Sequence, residues 1–183
     1  MATAKAAATE HEDTAPPAWQ HVLYDALRKN NVTQFAYVPD AGHRVAIDRS
    51  IADKDVHSVA LTTEEEGVAL CAGAHLGGAR GVLLMQSSGL GNCVNFLSMI
   101  QGSSFPFLTI LSMRGDFGEG NPWQMSMGQA TEPILKAMGF VILRVDRPED
   151  VAPTIDAASN MVWKSGQAVA ILLTQKLIGA KAF

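Results

Sequence analysis

Six short apolar runs separated by segments of helix length restrict this chain more than any other feature. The runs are Gln34–Val38, His57–Thr62, Gly81–Gln86, Phe107–Met113, Val141–Val145 and Ala168–Leu173. Between them, Arg44–Asp53, Glu64–Leu76, Asn92–Ile100, Thr131–Met138 and Pro148–Trp163 read as helices. Ahead of the first run, Trp19, Val22, Leu23, Ala26 and Leu27 recur at helical spacing. Strands joined through helices pair in parallel, because a parallel neighbour is reached only by a crossover of a dozen or more residues. Continuous apolar runs, rather than alternating ones, belong to strands covered on both faces. The expected fold is therefore α/β, a three-layer, mostly parallel six-stranded sheet with helices on both faces. Arg114–Gln129, rich in glycine, reads as a long irregular segment, and Ser87–Gly91 as a loop.

At 183 residues the chain makes one domain, and 48% hydrophobic against 17% charged residues supply its core. Residues 1–17, Ala/Thr-rich and closing on Pro16 and Pro17, are expected to be a disordered tail, with the domain spanning 18–183. A net charge of −4 gives no footprint for nucleic acid. No apolar stretch approaches the ~20 residues that span a bilayer, and the N-terminus lacks the order of a signal peptide, so a cytoplasmic location is expected. Cys71 and Cys93, without C-x-x-C spacing, read as two buried free thiols in a reducing compartment.

In parallel sheets ligands collect outside the carboxyl ends of the strands. That points to Pro39–Arg44, Thr62–Glu66, Ser87–Asn92 and Arg114–Gln129. The second of these opens a helix with Glu64, Glu65 and Glu66. Thr63 and Glu66 have the spacing of a capping box, which accounts for part of the triplet. Glu64 stands at the strand-to-helix corner, followed by the small residues Gly67, Ala69, Cys71, Ala72, Gly73 and Ala74, a small-residue helix that admits close approach of another helix or of a flat ligand. The Gly-x-Gly of Ser87–Asn92 precedes a helix but is neither a dinucleotide fingerprint nor a P-loop, since Val94 replaces the third glycine and no Lys-Ser/Thr follows. His43, His57 and His75 have no metal-ligand spacing, and no G-x-S-x-G elbow is present.

TTEEEGVALCAGAHLGG (62–78), MQSSGLGN (85–92) and RGDFGEGNPWQMSMGQAT (114–131) resemble the sulfopyruvate decarboxylase α-subunit and phosphonopyruvate decarboxylase family of thiamine diphosphate enzymes, over roughly residues 18–180. The resemblance implies the pyrimidine-binding domain of that fold. Its glutamate, nine positions before a glycine, falls on Glu64, or on Glu65 if the register slips by one. That carboxyl would meet the cofactor's pyrimidine, with Pro39, Ser87, Ser88, Gly89, Leu90, Gly91 and Asn92 lining the cofactor. The family's Gly-Asp-Gly diphosphate motif is missing; the nearest string is Arg114-Gly115-Asp116-Phe117. The resemblance thus assigns no metal ligand to this chain and puts the Mg²⁺ ligands on a β subunit, in a hetero-oligomer with cofactor at the interface. The implied reaction converts 3-sulfopyruvate to sulfoacetaldehyde and CO₂, as on the route to coenzyme M, with phosphonopyruvate or another acidic 2-oxoacid as the alternative substrate. An anionic substrate of this type needs cations or N–H donors; His43, Arg44, Arg114 and Gln124 are the candidates. The readings of another class are a non-catalytic α/β ligand-binding or regulatory subunit, and a structural partner that merely packs its Gly/Ala helix.

Overall fold

The computed structural model of the chain describes residues 18–180; residues 1–17, where a disordered tail is expected, and 181–183 lie outside the described residues. The elements are α1 (Trp19–Lys29), β1 (Val32–Tyr37), α2 (Arg44–Ala52), β2 (His57–Ala60), α3 (Glu64–Leu76), β3 (Arg80–Gln86), α4 (Leu90–Gly102), β4 (Phe107–Ser112), α5 (Pro122–Ala137), β5 (Val141–Val145), α6 (Val151–Trp163), β6 (Ala168–Leu173) and α7 (Gln175–Ile178). The six strands form one sheet in the order β2-β1-β3-β4-β6-β5. Every pairing is parallel, with Phe35 opposite Val82, Leu84 opposite Ile110 and Ile110 opposite Ile171 in its centre.

Strand alternation sorts the apolar residues into two cores. Val82 and Leu84 of β3, with Leu108 and Ile110 of β4, point to the face covered by α1, α2 and α6. Leu83 and Met85, with Phe107 and Leu111, point to the face covered by α3, α4 and α5. Each fully buried Leu or Ile contributes about 1.5–3 kcal/mol, so the central strands dominate the stability. Among the described residues no helix is long and apolar enough to cross a membrane.

The structure corrects four local expectations. Helix α5 begins at Pro122, well before Thr131, because Asn121 is an N-cap whose side-chain oxygen accepts from the Trp123 amide at 3.1 Å, with Pro122 in the first turn. Its internal Gly128 packs against the preceding loop: a methyl there would lie 2.7 Å from Gly115 Cα. Ser87–Gly89 is a 3-10 turn running straight into α4 rather than an open loop. The capping box is incomplete, since the Thr63 hydroxyl makes no cap bond and Glu66 Oε2 instead accepts from the Thr62 amide at 2.9 Å. Helix α7, which was not expected, adds a single turn after β6.

The connections place two crevices at the C-terminal rim of the sheet. After β1 the chain turns to α2 on one face; after β3 it turns to α4 on the other. The loops diverge between neighbouring strands β1 and β3, the switch point at which open α/β sheets bind ligands. The same divergence recurs between β4 and β6, whose following helices α5 and α7 also pack on opposite faces.

Candidate active site

The crevice between β1 and β3 is a cleft of about 150 Å³ lined by Val38, Pro39, Asp40, Glu64, Gln86 and Ser88. Of the three consecutive glutamates only Glu64, the first residue of α3, is buried; Glu65 is half-buried and Glu66 exposed. Glu64 Oε2 accepts a 2.8 Å hydrogen bond from Asn92 Nδ2, in the first turn of α4. Its Oε1 has no hydrogen-bond partner among the described residues. The carboxylate lies directly against Gly89, where a methyl would stand 2.5 Å from Glu64 Cδ and 2.6 Å from Cγ. Only glycine leaves room for the acid in this position.

The small residues of α3 serve two different ends. Gly67 seats the helix on the sheet: a methyl there would lie 2.8 Å from Leu61 Cδ1 and closer still to Leu83. Gly73, by contrast, faces open space, with nothing within 4 Å of a methyl at that position.

Of the other residues expected at the cofactor, Ser88 lines the cleft and donates from its hydroxyl to Gln86 Oε1 at 2.9 Å. Ser87 is fully buried, and its hydroxyl oxygen accepts from the Arg114 amide at 3.0 Å, which ties the β3 turn to the chain leaving β4. The Leu90 side chain belongs to the core, so this residue can offer a ligand its backbone only. Gly91 and Asn92 are exposed at the start of α4.

The four residues expected to meet an anionic substrate are not brought together. His43 is a correction: it is 1% exposed, its Nε2 lies 3.2 Å from the Met85 carbonyl, and burial pushes its pKa below the ordinary imidazole value, so it is no cation facing the cleft. Arg44 is exposed at the start of α2, 3.6 Å from Asp48, and borders a separate open depression of about 310 Å³ on the far side of Pro39. Gln124 is half-buried in the first turn of α5 and lines neither this depression nor the Glu64 cleft. Arg114 lines a second cleft of about 120 Å³ with Asp40, Gly42, Gln86, Ser112 and Ile178, at the β4/β6 crevice. Its guanidinium is held by both carboxylate oxygens of Glu119, Nε to Oε2 at 2.6 Å and Nη2 to Oε1 at 2.8 Å. Arg114 and the backbone amides of Gly115 and Asn121 hold the Glu119 carboxyl well below the usual carboxylate range.

Asp40 and Gln86 wall both clefts. Asp40 Oδ2 accepts from Ser112 Oγ at 2.5 Å and from the Gly42 amide at 3.1 Å, while Oδ1 accepts from Gln86 Nε2 at 3.3 Å. One carboxylate thus joins the tips of β1, β3 and β4. Gln175 plays a similar part beside Arg114: its Oε1 accepts from the Asp116 and Phe117 amides and its Nε2 donates to Glu119. Sequence reasoning missed Asp40, Gln86, Ser112, Glu119 and Gln175. The readable signal was an acid in the loop directly after a strand, and a second acid five residues beyond Arg114. Cys71 and Cys93 are buried free thiols, both pushed up to about 12 by burial, Cys93 additionally by the charges of Glu64 and Glu65.

Solved structures share this architecture. A 2-oxoglutarate:ferredoxin oxidoreductase from Magnetococcus marinus superposes with a TM-score of 0.73 at 16% identity, over 88% of this chain and 29% of its own. Benzoylformate decarboxylase from Polynucleobacter necessarius gives 0.69 at 18% identity, over 91% and 31%. The fold is that of the pyrimidine-binding domain of thiamine diphosphate enzymes. No family model matches the chain. Curated relatives are closer: the sulfopyruvate decarboxylase subunit alpha of Methanococcus maripaludis is 36% identical over 82% of this chain and 91% of that protein, and that of Methanocaldococcus jannaschii 34% identical over 82% and 89%. A phosphonopyruvate decarboxylase of Streptomyces viridochromogenes is 38% identical over 62% of this chain but only 29% of its own length. This chain belongs to the sulfopyruvate decarboxylase alpha-subunit family.

Proposed function

We propose that this chain is the α subunit of a thiamine diphosphate-dependent decarboxylase that converts 3-sulfopyruvate to sulfoacetaldehyde and CO₂, and that Glu64 is its catalytic carboxyl. The observation that carries the reading is the Glu64 carboxylate, pinned through Oε2 by Asn92, seated against Gly89 with Oε1 left without a hydrogen-bond partner among the described residues, and bordering a cleft at a sheet switch point. These residues fit the cofactor's pyrimidine: an acid with one committed and one free oxygen can hold a proton against a ring nitrogen, and the glycine turn beside it lets a flat ring approach the backbone. When bound, the cofactor supplies the electron sink that takes up the pair left as CO₂ departs. Glu64 holds or releases the proton at Oε1, Asn92 fixes the carboxyl plane, and Val38 and Pro39 supply the apolar part of a wall completed by Asp40, Gln86 and Ser88.

The diphosphate and Mg²⁺ call for oxygen ligands. Among the described residues no group of three His, Cys, Asp or Glu could hold a metal ion, and the sequence has no Gly-Asp-Gly. A β subunit carrying those ligands completes the site. Exposed apolar side chains are available to such a partner: Leu76 of α3 is 74% exposed, Phe96 of α4 40% and Trp123 of α5 90%, and Gly73 faces open space. The sulfopyruvate decarboxylase of Methanosarcina acetivorans, matched over only 35% of its length, is long enough to contain both halves. The substrate's anionic end is assigned to Arg114, which borders the neighbouring cleft with Asp40 and Gln86, and the buried reduced thiols suit the cytoplasm.

The test is reconstitution with the β chain, thiamine diphosphate and Mg²⁺, following CO₂ release from 3-sulfopyruvate and from phosphonopyruvate. Sulfopyruvate is expected to be the better substrate; a preference for phosphonopyruvate would transfer the assignment within the same chemistry. Glu64→Gln should assemble normally and lose turnover by at least ~100-fold, the range attributed to positioned acid–base groups. Full turnover in that variant would leave the chain as a non-catalytic subunit.

A further inference from the structure

At the opposite rim of the sheet from Glu64, where β1 and β3 begin and α6 ends, lies a cavity of about 170 Å³ bordered by Lys29, Arg80, Ser159, Asn160, Trp163 and Lys164. The decarboxylase reading makes no use of it. We propose that it binds a small tetrahedral oxyanion, phosphate, sulfate or a sulfonate group, through Arg80, Lys164 and the Ser159 hydroxyl.

Charge is the first ground. Among the described residues Lys54, Arg80 and Lys164 are the cations with no carboxylate oxygen within 4.0 Å, and two of these three border the same cavity. Such concentration is notable in a chain whose net charge is −4. One acid stands near: Asp156 accepts from Lys29 Nζ at 2.9 Å and from Asn30 Nδ2 at 2.7 Å, so it neutralises Lys29 and leaves the other two charges uncompensated.

A buried donor is the second. Ser159 is 4% exposed and its hydroxyl has no hydrogen-bond partner among the described residues. It makes no bond back to a carbonyl one turn earlier, and Ser159 is one of the residues that border the cavity. Buried polar groups without partners are uncommon and ask for a ligand or an ordered water.

The third ground is rigidity. Arg80 Nη1 donates to the Asn30 carbonyl at 2.8 Å, and the guanidinium lies 5.0 Å from the centre of the Trp163 ring. Held on these two sides, it keeps its remaining N–H groups where they are, which lowers the ordering cost of binding. Size sets the class of ligand. A nucleotide or other large ligand occupies a pocket of roughly 300–1,000 Å³, whereas this volume suits one oxyanion with a few waters at about 30 Å³ each.

The site is independent of cofactor and partner, so its failure and that of the decarboxylase reading are separable. Inorganic phosphate and methanesulfonate are titrated into the full-length chain at constant ionic strength, with chloride as the balancing anion, following heat of binding and the unfolding midpoint. Phosphate or methanesulfonate should bind saturably and raise the midpoint. Lys164→Gln should weaken binding at least tenfold; Ser159→Ala should weaken it without lowering the anion-free midpoint, since it deletes a hydroxyl that has no partner; Lys54→Gln should change nothing. Tighter binding of methanesulfonate identifies the occupant as a sulfonate-bearing compound, and tighter binding of phosphate as the inorganic ion. A response no larger than chloride's, or wild-type binding in Lys164→Gln, overturns the proposal.

Discussion

Replacing Gly89 by Ala should separate the stability of this fold from its chemistry. Gly89 has φ −66° and ψ −24°, right-handed backbone that alanine adopts freely, so the reduced freedom of the unfolded chain favours the variant by about 0.4–1 kcal/mol. Against that, the new methyl stands 2.5 Å from Glu64 Cδ, where ordinary contact begins at 3.4 Å. The side chain yields before the backbone does. The carboxylate then retreats by about 1 Å and gives up its bond to Asn92, a loss of about 1.5–3 kcal/mol for a charged acceptor. The net cost to folding is about 1–2 kcal/mol, a fall of roughly 2–8 °C in Tm for a domain of this size. Turnover should suffer more, because a displacement of about 1 Å at a reacting group costs ~100-fold, or about 2.7 kcal/mol of barrier. The assay pairs thermal unfolding of the variant with CO₂ release by the reconstituted α/β complex. Near-wild-type kcat in a folded Gly89→Ala complex would refute the placement of Glu64 as the proton-holding group.

Asn92→Ala, which frees Glu64 Oε2 without pushing on it, should lower kcat by about tenfold, the effect of about 1.4 kcal/mol, and leave KM within twofold in steady-state kinetics. The Glu119 carboxyl is held below its ordinary value of 4.5 by Arg114 and two backbone amides. Its contribution to stability is therefore complete above that value and is lost as pH falls through the depressed one. Thermal melts from pH 6 to pH 3 should show the gap between wild type and Glu119→Gln closing on the acid side; a gap independent of pH would count against the pair. With both thiols pushed up to about 12 by burial, Cys71 and Cys93 should resist iodoacetamide at pH 8 until the chain is unfolded, as mass spectrometry would read; rapid labelling of the native protein would contradict their placement.

The sheet was legible because its central strands β3, β4 and β6 are apolar on both faces and its crossovers carry helical periodicity; the exposed edge strand β2 was legible only as a short run between two helical segments. Helix α5 was harder to read. Gly115, Gly118, Gly120 and Gly128 outweighed Asn121-Pro122, a cap followed by a first-turn proline, which was the stronger local signal. At the cleft, an acid at a strand-to-helix corner drew attention to Glu64. The reason Gly89 must be glycine was invisible, since it is a contact between two turns 25 residues apart in sequence. His43 misled for the same reason: beside Arg44 in the sequence it looks like part of a basic pair, but the 3-10 turn before α2 rotates it under Met85. Asp40 reads as an ordinary turn acid until β4 brings Ser112 to it.

Gly67 seats α3 so near Leu61 and Leu83 that the helix has no room to slide or roll over the strand beneath. The acid at its tip is thereby mounted like a tool on a fixed arm, its aim set by the interior of the domain. Anyone grafting a new substrate preference onto this scaffold has the rim residues to vary, and should expect a side chain added at position 67 to swing the business end off target long before it unravels the protein.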